Sequence, residues 1–240
     1  MNHLILVRHG QSIWNLEKRF TGWVDVDLSD KGKLEANQSG KLIKKLNLKI
    51  NSFFSSYQKR AINTLELILS TINSKPNQIT KAWELNERHY GELTGLNKDQ
   101  MKKVYGEKKI HIFRRSWNMS PAPLNKNNPY HPLNIEIYKN IPRDKIPDTE
   151  SLKNTYERVI SYYLKNIKPL IQNGQNILIS AHGNSIRALC KKLFNISNTN
   201  IPKLEIPTGN PLLIKFNENL KIDDSYYLDS SRSRNLLVKF

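Results

Sequence analysis

The sequence predicts an α/β fold with a mainly parallel sheet, and three observations carry that prediction. Short apolar runs closed by turn-forming residues alternate with longer stretches of 3.6-residue periodicity, the pattern of strand–helix–strand units. The 240 residues contain no internal repeat and no linker-like stretch, and a single domain of that length buries a large core. Two apolar runs, 4–7 and 177–181, lead into the same dipeptide, His-Gly, at the carboxyl ends of the strands they form.

The elements follow in order. Residues 3–8, stopped by His9-Gly10, read as a fully buried strand. Ser29 is the N-cap of a helix whose buried stripe is Leu34, Leu42, Ile43 and Leu46. Residues 51–56 are strand-like, and Ala61, Ile62, Leu65, Ile68, Leu69 and Ile72 then recur at helical spacing. Residues 82–85 read as a third strand. Residues 97–105 and 110–117 read as short helices, the second with Ile110, Phe113 and Trp117 on one face. Residues 120–147 are rich in Pro and Asn with weak periodicity, and irregular chain of that length is usually functional or disordered. Leu152, Tyr156, Val159, Ile160, Tyr163 and Ile167 mark a helix ending near Lys168-Pro169. Residues 176–181 form another buried strand, closed by His182-Gly183. Residues 185–194 form a helix with Ile186, Leu189, Cys190 and Leu193 inward, so Cys190 reads as packing and not as a nucleophile. Residues 211–216 and 225–228 supply a final pair of strands, giving one domain over residues 1–240.

Composition excludes several classes. With 38% apolar residues the chain is too apolar for a disordered one, and no apolar run reaches the 18 residues of a membrane span. The start of the chain lacks the basic and long apolar regions of a secretory signal. A single cysteine, Cys190, excludes an intramolecular disulfide and a Cys-based zinc cluster, in keeping with a reducing cytosol. The net charge of +17 invites a nucleic-acid reading, but the excess is lysine (27 Lys, 11 Arg) scattered in doublets, with no basic tract of five or more. Such a field attracts small polyanions equally well.

The two His-Gly units carry the chemistry. Taken singly, each histidine would read as a hydrogen-bonded strand cap. The duplication, with Arg8 before His9 and Asn184 after Gly183, points to function. A neutral imidazole can attack phosphorus when its other nitrogen is held by an acceptor. An arginine fork suits phosphoryl oxygens, and a second imidazole, when protonated, can stabilise the charge that develops on them. No Asp/Glu/His set has metal-ligand spacing, so no metal is expected.

Arg8-His9-Gly10 with His182-Gly183 resembles the histidine phosphatase superfamily. Much of the chain further resembles that superfamily's cofactor-dependent phosphoglycerate mutases, in residues 6–15, 19–29, 59–64, 85–98, 114–115, 149–152, 181–185 and 206–211. Asn86-Glu87-Arg88-His89-Tyr90-Gly91 followed by Gly95-Leu96-Asn97-Lys98 is the most specific of these. The resemblance implies a three-layer sandwich, a mainly parallel central sheet flanked by helices. It implies a glycolytic and gluconeogenic isomerase, cytoplasmic, that interconverts 2- and 3-phosphoglycerate. The reaction is ping-pong through a phosphohistidine, with 2,3-bisphosphoglycerate as primer and intermediate. The implied catalytic residues are His9 (phosphorylated), His182 (stabilising the transferring phosphoryl group), Glu87 (general acid/base), Arg8 and Arg60.

The implied substrate contacts run through the matching motifs: Arg8, His9, Gly10, Gln11, Ser12, Ile13, Trp14 and Asn15; Thr21 and Gly22; Arg60; Glu87, Arg88, His89 and Tyr90; Lys98; Arg114 and Arg115; Gly183 and Asn184. Of these, His89 reads on its own as packing, as does Trp23. Gln11 stands where many members have glutamate, and His111, His131 and Lys126 receive no role. Residues near 97–147 are expected to form a lid-like insertion and residues near 229–240 a mobile tail. The implied partners are small phosphoglycerates, with no nucleic acid and no membrane, in a homodimer or homotetramer. The competing readings are a phosphatase of the same superfamily and a nucleic-acid-binding module.

Overall fold

The computed structural model describes residues 2–76 and 78–232. In chain order the main elements are β1 (Asn2–Arg8), α1 (Ile13–Leu16), α2 (Asp30–Lys44), β2 (Ser52–Ser55), α3 (Lys59–Thr71) and β3 (Thr80–Lys81). They continue with α4 (Lys98–Tyr105), α5 (Glu107–Arg115), α6 (Leu152–Tyr162), α7 (Lys168–Gln172), β4 (Ile177–Ala181), α8 (Gly183–Leu193), β5 (Leu212–Phe216) and β6 (Ile222–Tyr227). The strands form one sheet in the order β3-β2-β4-β1-β5-β6. Pairings among β3, β2, β4 and β1 are parallel, and β5 is antiparallel to both neighbours.

Period-two alternation along the central strands sorts side chains into two cores. Leu4, Leu6, Ile177 and Ile179 pack with Leu152, Val159, Ile186 and Leu189 of α6 and α8 on one face. Ile5, Val7 and Leu178 pack with Ile43, Leu65, Ile68 and Leu69 of α2 and α3 on the other. Helix layer, sheet and helix layer are thus the expected three-layer sandwich.

Several elements depart from the sequence reading. The buried face of α2 is Gly32, Ala36, Ser39, Gly40 and Ile43, and Leu34 is 71% exposed. Small residues win that face because α2 lies close to its neighbours: a Cβ on Gly40 would come within 2.5 Å of Thr71. The third strand is Thr80–Lys81, not 82–85. It ends as the edge partner of β2, and Trp83–Leu85 coil into a 3-10 turn that carries the chain over the sheet end. α5 stops at Arg115 with extended Ser116, so Trp117 lies beyond it and packs edge-on to Tyr156.

Pro169 does not end the long helix. α6 passes through a π turn (Tyr163–Ile167) into α7, where Pro169 falls in the first turn and its missing N–H is no loss. The last helix starts at Gly183, two residues before the predicted 185, and the final strand is Ile222–Tyr227 in place of 225–228. Residues 120–147 hold three short 3-10 turns and bury Leu124, His131, Tyr138 and Ile141. Of the predicted tail, residues 233–240 lie outside the described residues. Residues 229–232 are anchored: Asp229 and Asn210 exchange hydrogen bonds, and Arg232 reaches the Thr208 carbonyl and Glu35.

Candidate active site

Arg8 and Ala181 are register partners at the ends of the adjacent strands β1 and β4, so His9 and His182 emerge side by side. Their ring centroids are 4.9 Å apart. Gly10 after His9 serves close packing of backbone against backbone, since a Cβ there would lie 2.1 Å from the Gly32 carbonyl at the start of α2.

The His9 ring is oriented by a 2.7 Å hydrogen bond from Nδ1–H to the Gly10 carbonyl, which leaves the Nε2 lone pair free. Burial, then the charges of Arg60 and Arg8, hold its pKa well below 6.5, so the imidazole is the neutral, nucleophilic form. Burial and Arg60 depress His182 in the same way, and without an anion beside it this ring is neutral too, not protonated. His182 Nε2 lies 2.8 Å from Ser56 Oγ, which accepts from the Gln58 N–H and has its own hydrogen to give to the ring. In the tautomer that takes the Ser56 hydrogen, the proton of His182 sits on Nδ1, which has no hydrogen-bond partner among the described residues. A buried donor of this kind is matched by a phosphoryl oxygen.

Cations surround the pair. Arg60, in the first turn of α3, is buried and donates to the carbonyls of Gly22 and Val24 at 2.9 Å each. Arg8 donates to the Ile206 carbonyl and keeps a buried Nε without a partner. Asn15 closes a capping box with Ser12. Its Oδ1 accepts from the Ser12 N–H, which turns its Nδ2 outward. Gln58 joins two parts of the site, donating to the Gly22 carbonyl and accepting from the Glu87 N–H. Glu87 Oε1 accepts from the backbone N–H groups of Arg88 (2.7 Å) and Asn184 (3.2 Å).

These groups enclose a cavity of about 110 Å³ lined by Arg8, His9, Asn15, Arg19, Thr21, Gly22, Arg60, Glu87, Tyr90, Lys98 and Arg114. An outer recess of about 320 Å³ shares Arg8, Asn15, Lys98 and Arg114 with it and adds Gln11, Lys18, Lys31, Glu35, Asp99, Lys102 and Thr208. Larger hollows, of about 460 and 610 Å³, lie among residues 163–222 and 43–74. They lack converging acid, base and cation sets, so charge and not volume marks the site. Lys98 has its pKa pushed down to about 8 by burial, then by Arg114 and Arg8. Among the described residues, no group of three His, Cys, Asp or Glu side chains is placed to hold a metal ion, and no helix is long and apolar enough to cross a membrane.

Not every residue implied by the motifs reaches the cavity. Gln11 faces only the outer recess, and Ser12 caps α1. Ile13 points to solvent, and the Trp14 ring has the Arg19 guanidinium 4.0 Å from its centroid and lies perpendicular to Tyr130, 5.3 Å away. Arg88 is fully buried, donating to the Phe113 carbonyl with its guanidinium carbon 4.8 Å from the Tyr90 ring centroid. His89 is buried and accepts from the Gly91 N–H, which is a packing role. Arg115 is turned to the Leu204 carbonyl and Glu205, because adjacent arginines on α5 face different ways. Gly10, Gly183 and Asn184 support the site through the backbone contacts given above for Gly10, the packing of Gly183 on Arg8, and the bonds of Asn184 to Glu87 and Tyr90. His111 is exposed, and His131 is buried on Asp148.

Sequence reasoning missed four residues. Arg19 lines the cavity, and its place at the start of the matching 19–29 stretch was the available signal. Ser56 and Gln58 act through hydrogen bonds that only the fold brings together, whereas Arg187 reaches Asn184 three residues earlier on α8, and that helical spacing was the available signal.

A sheet with paired histidines at adjacent strand ends, ringed by arginines, defines a site of the histidine phosphatase type, and the sequence model of the histidine phosphatase superfamily (branch 1) matches residues 4–131 and 128–222. Solved structures of this type share the fold. A mycobacterial glucosyl-3-phosphoglycerate phosphatase superposes with a TM-score of 0.68 at 19% identity, over 95% of this chain and 97% of its own. A putative α-ribazole-5′-P phosphatase from Escherichia coli reaches 0.68 at 17%, over 94% of each chain. Within that superfamily the chain belongs to the 2,3-bisphosphoglycerate-dependent phosphoglycerate mutase family. It is 63% identical to a protein of that name from Pelagibacter ubique over 99% of this chain and all of the relative. It is 47% identical to one from Hydrogenobaculum (95% and 92% covered) and 44% identical to one from Maricaulis maris (98% of each).

Proposed function

We propose that the protein interconverts 2- and 3-phosphoglycerate by passing a phosphoryl group through Nε2 of His9, primed by 2,3-bisphosphoglycerate. One observation carries the reading: a neutral imidazole with Nδ1 tied to a carbonyl and Nε2 free, facing a second buried imidazole inside a ring of arginines. The bisphosphoglycerate supplies the phosphoryl group that loads His9. Nε2 forms the N–P bond while the ester P–O bond breaks, and the departing alkoxide takes a proton from Glu87. In the reverse sense the carboxylate of Glu87 removes the proton of the incoming hydroxyl, which attacks phosphorus and frees His9. Arg8, Arg60, Asn15 and the Nδ1–H of His182 hold the equatorial oxygens. Thr21 and Gly22 receive the substrate carboxylate, with Tyr90, Lys98, Arg114 and Arg19 around the second charged end.

No metal takes part in this scheme. Residues 97–147 act as cover, keeping water from the phosphohistidine. Tyr138, which donates to the Trp23 carbonyl, pins that cover to the loop carrying Gly22, and Tyr130 on Trp14 pins it to α1. The protein is cytoplasmic and a homodimer or homotetramer, which sedimentation would resolve.

The test is a coupled assay on 3-phosphoglycerate with fully dephosphorylated enzyme. Conversion is expected only after catalytic 2,3-bisphosphoglycerate is added. Full conversion without it would reject the ping-pong scheme, and release of inorganic phosphate without isomerisation would favour the phosphatase reading.

A further inference from the structure

Arg187, on α8, is buried at 5% exposure and has no carboxylate partner among the described residues. Its nitrogens are nevertheless committed. Nε and Nη2 donate to the Leu204 carbonyl at 3.1 and 2.9 Å, and Nη1 donates to the Gly183 carbonyl and, at 2.7 Å, to Oδ1 of Asn184. Burying a cation against neutral oxygens alone is costly, and an apolar side chain would fill the space at less expense. Burial lowers its pKa to about 9, which still leaves it charged at neutral pH.

The consequence lies one bond further on. Because Arg187 holds Oδ1, the Asn184 amide has a single orientation, and its Nδ2 donates to the Tyr90 hydroxyl at 3.1 Å. A hydroxyl that accepts at oxygen still has its own hydrogen to give. Tyr90 lines the cavity, and its hydroxyl donates to no described protein group. The reversed amide would accept from Tyr90 and turn the hydroxyl lone pairs toward the cavity, where an anion would be repelled.

We propose that Arg187 is a positioning residue that fixes the polarity of a relay from Arg187 through Asn184 to Tyr90, so that Tyr90 presents a donor to the anionic substrate. The proposal rests on Tyr90 being a substrate contact in the reading above. Its hydrogen bond to an ionised oxygen belongs to the stronger class.

The relay is tested by Tyr90→Phe in three backgrounds: native, Asn184→Asp and Arg187→Met. Asn184→Asp is isosteric and keeps Arg187 paired, but its second oxygen accepts from Tyr90 and so reverses the hydroxyl. Tyr90→Phe is expected to raise KM for 3-phosphoglycerate about tenfold in the native chain and less than about twofold in the Asn184→Asp background. Arg187→Met raises KM several-fold, and Arg187→Lys, which retains one donor for Oδ1, recovers part of the loss. Phosphorylation of His9 by 2,3-bisphosphoglycerate reports that each variant retains a folded site. An equal effect of Tyr90→Phe in all backgrounds would overturn the relay and leave Tyr90 as a contact. No change in KM from Tyr90→Phe in the native chain would overturn the contact and the relay together.

Discussion

The molecule contains two pairs of buried histidines, and they make a natural experiment. His9 and His182 stand 4.9 Å apart, His89 and His131 6.2 Å apart, and all four are nearly inaccessible. Burial, the largest cause, and behind it nearby cations or a second imidazole hold three of them, His9, His182 and His89, in the neutral form. What separates the pairs is how their nitrogens are used. In the second pair His131 is spent on Asp148 and the Leu133 N–H; His89 Nδ1 accepts from the Gly91 N–H, and its buried Nε2, though unpartnered, borders none of the cavities described above. In the first, His9 Nε2 and His182 Nδ1 are left over, and His9 lines a cavity with Arg8 and Arg60. A depressed imidazole is therefore no signature of chemistry by itself; an unspent nitrogen facing fixed cations is.

The largest expected contrast is in turnover. His182→Ala should lower kcat/KM by on the order of 10²–10³, the range for losing one donor to a developing charge. His89→Gln should leave kcat/KM of the folded enzyme within about threefold. Comparable losses from both would erase the distinction between the pairs.

Acid stability sharpens it next. His89 has its pKa lowered to about 3, chiefly by burial and then by His131, from an ordinary 6.5. The unfolded chain binds a proton there below about 6.5 and the folded chain does not. The stability is thus present above that pH and is lost as pH falls toward 3, at roughly 1.4 kcal/mol per pH unit for each such group. Urea melts between pH 6.5 and 4 should show this slope, reduced by about one proton in His89→Gln. An unchanged slope would mean that His89 is not held neutral.

A smaller effect is expected at Asp148. With Leu133 N–H on its Nδ1, His131 must carry its proton on Nε2, and Asp148→Ala strands that donor at a cost of about 1–3 kcal/mol. Asp148→Asn should recover most of it, and neither should change turnover by more than about twofold. The smallest effect concerns Lys98, whose pKa near 8 makes it uncharged as pH rises. KM for phosphoglycerate should then climb a few-fold between pH 7.5 and 9, and Lys98→Met should flatten that rise.

The strand ends were legible because the sheet centre leaves little choice. Runs such as Leu4-Ile5-Leu6-Val7 are buried on both faces, and a histidine that follows one has to emerge at the carboxyl edge. The histidine pair His9 and His182, with Arg60 and Glu87 beside it, was therefore readable from short motifs. Leu34 was misread because α2 packs through small residues, so its apolar periodicity points the wrong way. Residues 120–147 gave no period, since their order comes from single anchors such as Tyr138 on the Trp23 carbonyl. Arg88, His89 and Arg115 lie in the motifs yet miss the cavity, because adjacent residues on a turn or helix cannot all face one ligand. Arg19 and Arg187 went unseen for the opposite reason: each is seated on a carbonyl further along the chain, Gly95 and Leu204, that its own motif does not show.

The central claim is that of the two histidine pairs only the first is chemical, and that His9 is its nucleophile. Peptide mapping under alkaline conditions after exposure to 2,3-bisphosphoglycerate tests this most directly. One acid-labile phosphoryl group is expected on the peptide containing His9, absent in His9→Ala and retained in His89→Gln. Label on His182, His89 or His131, or a phosphoenzyme that survives in His9→Ala, would contradict the account.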